Sequence, residues 1–579
     1  MCGILLVLQS AETLHLSQVP VAFSPGLRRR GPEGTGSWSR RVSSSVPGYA
    51  DTDVYLQGSL LQIRGSGMSA SPLVDVDGNA LAFNGEVFEG LEEIGLSRSQ
   101  NDTRALLSAL AEAARDNSLE SDSVAKVLSG LRGPWSLIFW QENARRLWFA
   151  RDVFGRRSLL VHRPSCLDPR LILSTLAPLQ LATCDSTETV NCWEELEPGI
   201  YSLDELDHPG RYTHRRVTPE SCWLWRRHRW IERLPAELFV YKRDTGLIVP
   251  CAKSQPSERT IASGKTGINC NRDECSFSVS VDGFFAALDA AVERVVWSSV
   301  RRKKIGVLFS GGVDSMVIAA LVDRHHPIEE PIDLLTVCFD EGCSPDRIAA
   351  NDGLYELRTM CPHRQWRLIS VDAVMDDVES ARTHHMNRVI HPSRTIMDMN
   401  IAAAIWFAAN GKGWIPVSDE RPDAAQRLIT GKVNFRSSSK VFLLGQGADE
   451  QCAGYGRHRT AYEMGRRRKD ECAWSSLEVE TRLDVRRLWI RNLGRDDRVI
   501  GDCGSEARFP FLDEGVMFRS LTTPLSDVAA LDFPRGVGDK MLIRAVASRL
   551  GLHRSSGRSK RAIQFGSRIS RKQSRVYAG

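Results

Sequence analysis

The chain has 579 residues, of which 42% are hydrophobic and 25% charged, and it carries a net charge of +5 at neutral pH. That length exceeds what one hydrophobic core organises and predicts two large domains, while the composition excludes a wholly disordered or fibrous chain. So small a charge on so long a chain argues against nucleic acid or an anionic membrane as the main partner and favours small-molecule chemistry. No run of about 18 apolar residues stands out, and Met1 to Leu8 lacks the basic leader and cleavage site of a secretory signal, so a cytosolic protein is expected. The 14 cysteines show no paired C-x-x-C spacing, and most are expected to be reduced core thiols.

In chain order, residues 1–204 show short apolar runs broken by Gly, Pro, Ser and Asp: Leu60 to Ile63, Leu81 to Phe83, Trp135 to Trp140 and Leu147 to Ala150. Runs of that length between turn formers predict strands. Residues 205–280 read as a connecting segment, within which Ala252 to Arg272 has the polar, Ser-, Lys- and Gly-rich composition of a linker. Beyond it Phe284, Phe285, Leu288, Ala291, Val292 and Val295 recur at helical spacing. Lys304 to Phe309 predicts a strand that ends in Ser310-Gly311-Gly312-Val313-Asp314-Ser315 and leads into a helix from Met316 to Val322. Leu334 to Phe339 and Val441 to Leu444 predict two more buried strands, so residues 281–579 are expected to form a parallel α/β sheet with active-site loops at the strand ends. Gly411 to Ser439 is polar and is expected to be an inserted loop.

Chemistry first shows at Cys2. Loss of Met1 would leave a thiol and an α-amine on one residue, the amine titrating at about 8, so that the thiol could pass its proton to the amine and attack an amide carbonyl. A buried Cys beginning a first strand is the plainer alternative. Cys2-Gly3-Ile4 is followed by Arg30-Gly31-Pro32-Glu33, Leu61-Gln62-Ile63-Arg64-Gly65, Phe83-Asn84-Gly85-Glu86, Asn101-Asp102-Thr103 and the run Phe149 to Arg157. This series resembles the class II, N-terminal-nucleophile glutamine amidotransferase domain. The resemblance implies an Ntn-hydrolase αββα sandwich in which Cys2 is the nucleophile, Asn84 and the Gly85 N–H form the oxyanion hole, Arg64 holds the glutamine carboxylate, and Glu86 and Asp102 take its ammonium. Taken singly, Asn84-Gly85 also reads as a hairpin turn, and Arg64 and Asp102 as solvated surface. Glu33 stands where that family has Asp, and Val87-Phe88-Glu89 where it has Ile-Tyr-Asn.

The strand, Ser/Gly turn and helix around Ser310 form a phosphate cradle without the Lys of a Walker loop. SGGxDS in this setting resembles the PP-loop of ATP pyrophosphatases. Gly445-Gln446-Gly447-Ala448-Asp449-Glu450, Gly454-Tyr455, Glu506 to Asp513 and Asp539-Lys540 are similar to the carboxy-terminal series of the glutamine-hydrolysing asparagine synthetase family. That resemblance implies ATP bound by Ser310, Gly311, Gly312, Asp314 and Ser315, with Phe339, Gly445 and Gln446 beside the nucleoside. It also implies Mg²⁺ on Asp314 and Asp449, Lys540 at the departing pyrophosphate, and Tyr455 on the wall of the acceptor pocket. Core packing is the plainer reading of Tyr455. Glutamine and aspartate are the implied substrates, asparagine the implied product through an aspartyl-AMP intermediate, and a homodimer fits the reading. Nucleic acid would have to rest on the basic tail from Arg554 to Arg575, where aromatic residues for stacking are sparse; a solvated or pyrophosphate-facing end is the preferred reading.

One departure bears on the chemistry. The family's loop carries a glutamate where this chain has Gln446, and an amide can neither take a proton nor offer a negative charge. The readings left open are a working amide synthetase, a degenerate synthetase kept for binding or regulation, and a PP-loop ligase for another carboxylic acid.

Overall fold

The computed structural model describes residues 2–11, 18–44, 50–64, 71–91, 101–115, 123–164, 168–178, 193–203, 225–230, 274–299, 304–418, 429–468 and 472–570. The linker expected at 252–272 lies outside them, as do Met1 and residues 571–575 of the basic tail.

The amino-terminal domain starts from β1 (Gly3–Ser10), whose unbroken apolar run is buried on both faces. It pairs antiparallel with β3 (Thr52–Leu60) and β9 (Leu171–Ser174), and β2 (Gly34–Val42), β8 (Leu160–His162) and β10 (Trp193–Glu195) complete a sheet in the order β10-β8-β9-β1-β3-β2. The second sheet runs β12-β11-β7-β6-β5-β4, from Arg226–His228 through Gly199–Leu203, Arg146–Arg151, Trp135–Gln141 and Ala80–Gly85 to Leu73–Val74. Strand alternation decides the layering. Ile4, Leu6 and Leu8 meet Ala82, Ile138, Trp140 and Phe149 in a core shared by the two sheets. Leu5 and Val7 point the other way, onto Phe23 and Leu27 of the helix Gln18–Arg30. Helices Asp102–Ala114 and Ser123–Gly130 cover the outer face of the second sheet through Leu106, Leu110, Ala125 and Leu128. The result is the αββα sandwich expected. Two details differ. Leu61 to Ile63 lie past the end of β3 and form no strand. Arg226–His228, inside the segment read as a connection, adds a strand to the second sheet.

In the carboxy-terminal domain β13 (Lys304–Leu308) lies between β14 (Ile332–Cys338) and β18 (Ser439–Leu443), with β15 (Trp366–Asp372) and β19 (Glu506–Arg508) outside them, all parallel. Helices pack on both faces because the central strands β13, β14 and β18 carry apolar side chains on both sides. One core gathers the helices Glu274–Ser299, Val313–His325 and Met541–Arg549; the other gathers Ile396–Ala409 and Gly494–Asp502. Gly411 to Ser439 is not a loop: β16 (Lys412–Ser418) and β17 (Ile429–Arg436) are an antiparallel pair that extends the sheet beyond β15. Its polar sequence misled because an edge hairpin has few neighbours and need not be apolar. Trp414 stands beneath the Lys432 ammonium, 4.1 Å from ring centre to Nζ.

The helix Glu274–Ser299 also departs from the expectation of no long apolar run, since its stretch Cys275–Ser298 is long and apolar enough to cross a membrane by length and composition. In this fold Phe284, Leu288, Ala291, Val292, Val295 and Val296 bury one face of it in the domain core. The cysteines divide: Cys338 and Cys452 are buried thiols, whereas Cys275 and Cys343 are exposed.

Candidate active sites and the joint between them

β1 and β5 bring Cys2 and Asn84 together, and the Cys2 backbone nitrogen donates to Asn84 Oδ1 at 3.0 Å. The Asn84 Nδ2 group is buried and has no acceptor, which is what an oxyanion donor needs to be in the resting site. Gly85, next in the strand, has φ +138°, and a Cβ there would lie 2.1 Å from Pro134 O, so only glycine fits. Burial pushes the Cys2 thiol up, so a nucleophilic role would need a proton acceptor close by.

Beside it the chain places the three residues expected to hold glutamine. Arg64 Nη1 donates to Val87 O at 2.8 Å, and Asp102, at the start of its helix, accepts from Val87 N at 3.0 Å. Glu86 and Asp102 are both buried. Burial lifts the Glu86 carboxyl to about 7, with Arg508 and Arg64 pulling it down and Asp102 and Glu506 adding to the rise. Asp102 is raised by burial as well. Sequence reasoning missed Arg508, a residue of the other domain, whose Nη2 stands 2.8 Å from Glu86 Oε1 and 2.6 Å from Glu506 Oε1. The motif from Glu506 to Asp513 was visible, but nothing in it told that its arginine reaches the amino-terminal site.

The second site is a cavity of about 590 Å³ where β13 gives way to the helix Val313–His325. Gly311 turns the chain with φ +71°, and a Cβ on it would lie 2.2 Å from Ala349 O. Gly312 N donates to Ser310 Oγ at 3.3 Å and Ser315 Oγ to Gly312 O at 3.0 Å, so the turn is braced by its own hydroxyls. Ser310, Asp314, Ser315, Gly445, Gln446, Asp449 and Tyr455 all line the cavity. Lys540 Nζ lies 2.6 Å from both Asp314 Oδ2 and Asp449 Oδ1, and Lys560 forms a second ion pair with Asp449. Against the upward push of burial these two ammonium groups hold Asp449 well below the usual carboxylate range. Asp314 Oδ1 is buried and receives no hydrogen bond. The unused Asp314 oxygen beside the Asp449 carboxylate suits Mg²⁺, which takes one or two carboxylates and completes its shell with phosphate and water. Among the described residues no group of three or more His, Cys, Asp or Glu side chains could hold a metal.

Phe339 does not line the cavity. Its ring packs against Phe407 at 5.9 Å, and its N–H already donates to Ser567 O at 3.0 Å. Tyr455, by contrast, is on the wall, its hydroxyl 2.6 Å from Glu450 Oε1. The described part of the basic tail faces the site too: Arg558 Nη1 donates to Gly311 O at 2.9 Å, and Lys560 and Arg561 line the cavity.

Between the sites the run from Arg151 to Arg157 forms the joint. Arg156 reaches Glu514 and, at 2.8 Å, Leu512 O. Arg157 reaches Glu506 and, at 2.8 Å, Ala507 O, while Arg30 Nη2 meets Asp497 Oδ2 at 2.8 Å. Leu61, Ile63 and Phe154 are buried in the second domain's cores. Breaking one such buried pair from one side costs about 3–5 kcal/mol, so the domains are firmly coupled.

The asparagine synthase family profile matches residues 284–397 and 378–572, and that of the glutamine amidotransferase domain matches residues 59–178. A solved glutamine phosphoribosylpyrophosphate amidotransferase from B. subtilis, complexed with ADP and GMP, superposes on 59% of this chain and 67% of its own with a TM-score of 0.26 and 15% identity. The fold and the two matches define a glutamine amidotransferase domain followed by an asparagine synthase domain. Asparagine synthetase domain-containing protein 1 of Gallus gallus is 34% identical, covering 95% of this chain and 93% of that one; its Mus musculus counterpart is 32% identical, covering 99% and 97%. The chain belongs to the asparagine synthetase domain-containing protein 1 family.

Proposed function

We propose that the chain is a glutamine-dependent, ATP-dependent amide synthetase that converts aspartate to asparagine in the cytosol. The observation that carries this reading is the second cavity, where a glycine-turned phosphate cradle, Asp314, Asp449 and Lys540 converge opposite Tyr455 and Glu450.

At the first site the Cys2 thiol, once its proton has gone to the α-amine, attacks the glutamine carboxamide. Asn84 Nδ2 and the Gly85 N–H receive the developing oxyanion, and ammonia leaves a thioester for water to hydrolyse. Arg64, Glu86 and Asp102 fix the two charges of the amino acid. At the second site the Ser310 to Ser315 turn holds the phosphates of ATP, and Lys540 and Lys560 balance the charge of departing pyrophosphate. Asp314 and Asp449 are the residues that would hold Mg²⁺, whose part is to neutralise phosphate oxygens. The aspartate β-carboxylate displaces pyrophosphate from the α-phosphorus, and ammonia then displaces AMP.

The test is asparagine and pyrophosphate formation from ATP, Mg²⁺ and aspartate, with glutamine or ammonium as the nitrogen source. Product from both sources in the natural chain, and from ammonium alone in Cys2→Ala, is expected. ATP binding without pyrophosphate release would instead favour a second reading, a nucleotide-binding protein without turnover, in which Lys560 occupies the Asp449 carboxylate. Pyrophosphate release with another carboxylic acid but not aspartate would move the substrate and keep the reaction class.

A further inference from the structure

Gln446 is the loop residue whose amide replaces a carboxylate, and its neighbour changes what that replacement means. Gln446 Nε2 donates to Asp496 Oδ2 at 2.9 Å, and both side chains line the cavity. Asp496 is wholly buried on the helix Gly494–Asp502. Its other oxygen is 2.9 Å from Arg495 Nε, and Arg495 Nη1 is bound in turn to Asp398 at 2.6 Å. Arg495 and Gln446 both favour the ionised form of Asp496 against burial, which raises its pKa. With Arg495 on one Asp496 oxygen and the Gln446 Nε2 group on the other, the carboxamide turns its nitrogen toward Asp496 and its carbonyl oxygen away from it.

We propose that Asp496 is a positioning residue for the incoming ammonia: held by Arg495, it fixes the flip of the Gln446 carboxamide so that the carbonyl oxygen is the arm offered to the cavity. This rests on the amide-synthetase reading above. The flip matters because ammonia must keep its lone pair free. A carbonyl oxygen accepts one N–H of ammonia and leaves the lone pair aimed at the acyl carbon. A flipped NH₂ would bind the lone pair itself and block attack. In the attack the lone pair forms the C–N bond, the C–O bond to AMP breaks with its electrons staying on the phosphate oxygen, and the proton shed by nitrogen passes to the AMP phosphate. Within this arrangement Gln446 is an acceptor of defined direction, and the missing negative charge sits one hydrogen bond behind it.

The experiment uses the full chain with ammonium as nitrogen source and compares Asp496→Asn, Gln446→Glu and the double variant. Asp496→Asn frees the flip and should lower kcat by about a hundredfold, with the KM for ATP held within about threefold. Gln446→Glu sets two carboxylates face to face and should fall comparably. In the double variant the carboxamide introduced on the helix can donate to the carboxylate introduced on the loop, and kcat should recover at least about tenfold over either single change. Melting temperatures of all four proteins separate loss of fold from loss of orientation, and the double variant serves if a single one melts early. Undiminished kcat in Asp496→Asn, or no recovery in the double variant, overturns the proposal while aspartate-dependent ATP–pyrophosphate exchange in the natural chain still upholds the synthetase reading. Absence of that exchange overturns both.

Discussion

Around Cys2 burial lifts the carboxyls of Glu86 and Asp102, whereas in the second cavity Lys540 and Lys560 draw Asp449 down. Both sets of carboxylates are buried, so the difference lies in the cations supplied. At the first site Arg508 and Arg64 leave Glu86 and Asp102 raised, Arg157 being spent on Glu506, and the raised pair is suited to receive a cation from outside in the form of an amino acid's ammonium. The second carries its cations already, and they are suited to an anionic guest such as a polyphosphate. The sign of the unmet charge thus distinguishes the two sites more directly than the presence of acidic residues in both.

The largest effect should separate the two sites outright. Cys2→Ala should reduce glutamine hydrolysis to background while ammonium-dependent synthesis persists, measured as glutamate and asparagine formed; residual hydrolysis at the natural rate would sink the nucleophile assignment. Next, Lys540→Ala should cut pyrophosphate release by about a hundredfold or more by removing the ammonium that Asp314 and Asp449 share. Unchanged release would mean that the phosphates lie elsewhere. The joint comes third. Glu514→Ala strands Arg156, with Asp152 as its remaining carboxylate partner, and should lower stability in urea by about 3–5 kcal/mol. It should also lower glutamine-dependent synthesis more than ammonium-dependent synthesis, and equal losses would break the idea that the joint couples the sites.

The smallest effect is in pH. Glu86 is raised from 4.5 to about 7, so the folded chain keeps a proton that the unfolded chain has lost across that window. Stability from this group therefore falls as pH rises from about 4.5 to about 7, the reverse of Asp449, whose contribution is present above 3.8 and lost as pH falls below it. If glutamine's ammonium needs the ionised form, the KM for glutamine should rise about tenfold from pH 8 to pH 6, and Glu86→Gln should flatten that profile while raising KM throughout.

Much of this was legible in the chain alone. The apolar runs Leu81 to Phe83 and Trp135 to Trp140, the helical spacing from Phe284 to Val295 and the Ser310 to Ser315 turn are local, because strand length, helix period and tight turns are written into neighbouring residues. So were the two series of motifs, and with them Cys2, Asn84, Asp314, Asp449 and Lys540. Tertiary structure alone decided what those residues meet. That Arg508 serves Glu86, that Arg156 and Arg157 bolt the domains together, that Phe339 faces Phe407 rather than the cavity, and that Asp496 stands behind Gln446 all depend on contacts between residues far apart in sequence. A buried charge finds its partner through packing, and packing joins residues whose spacing in the chain carries no period to read.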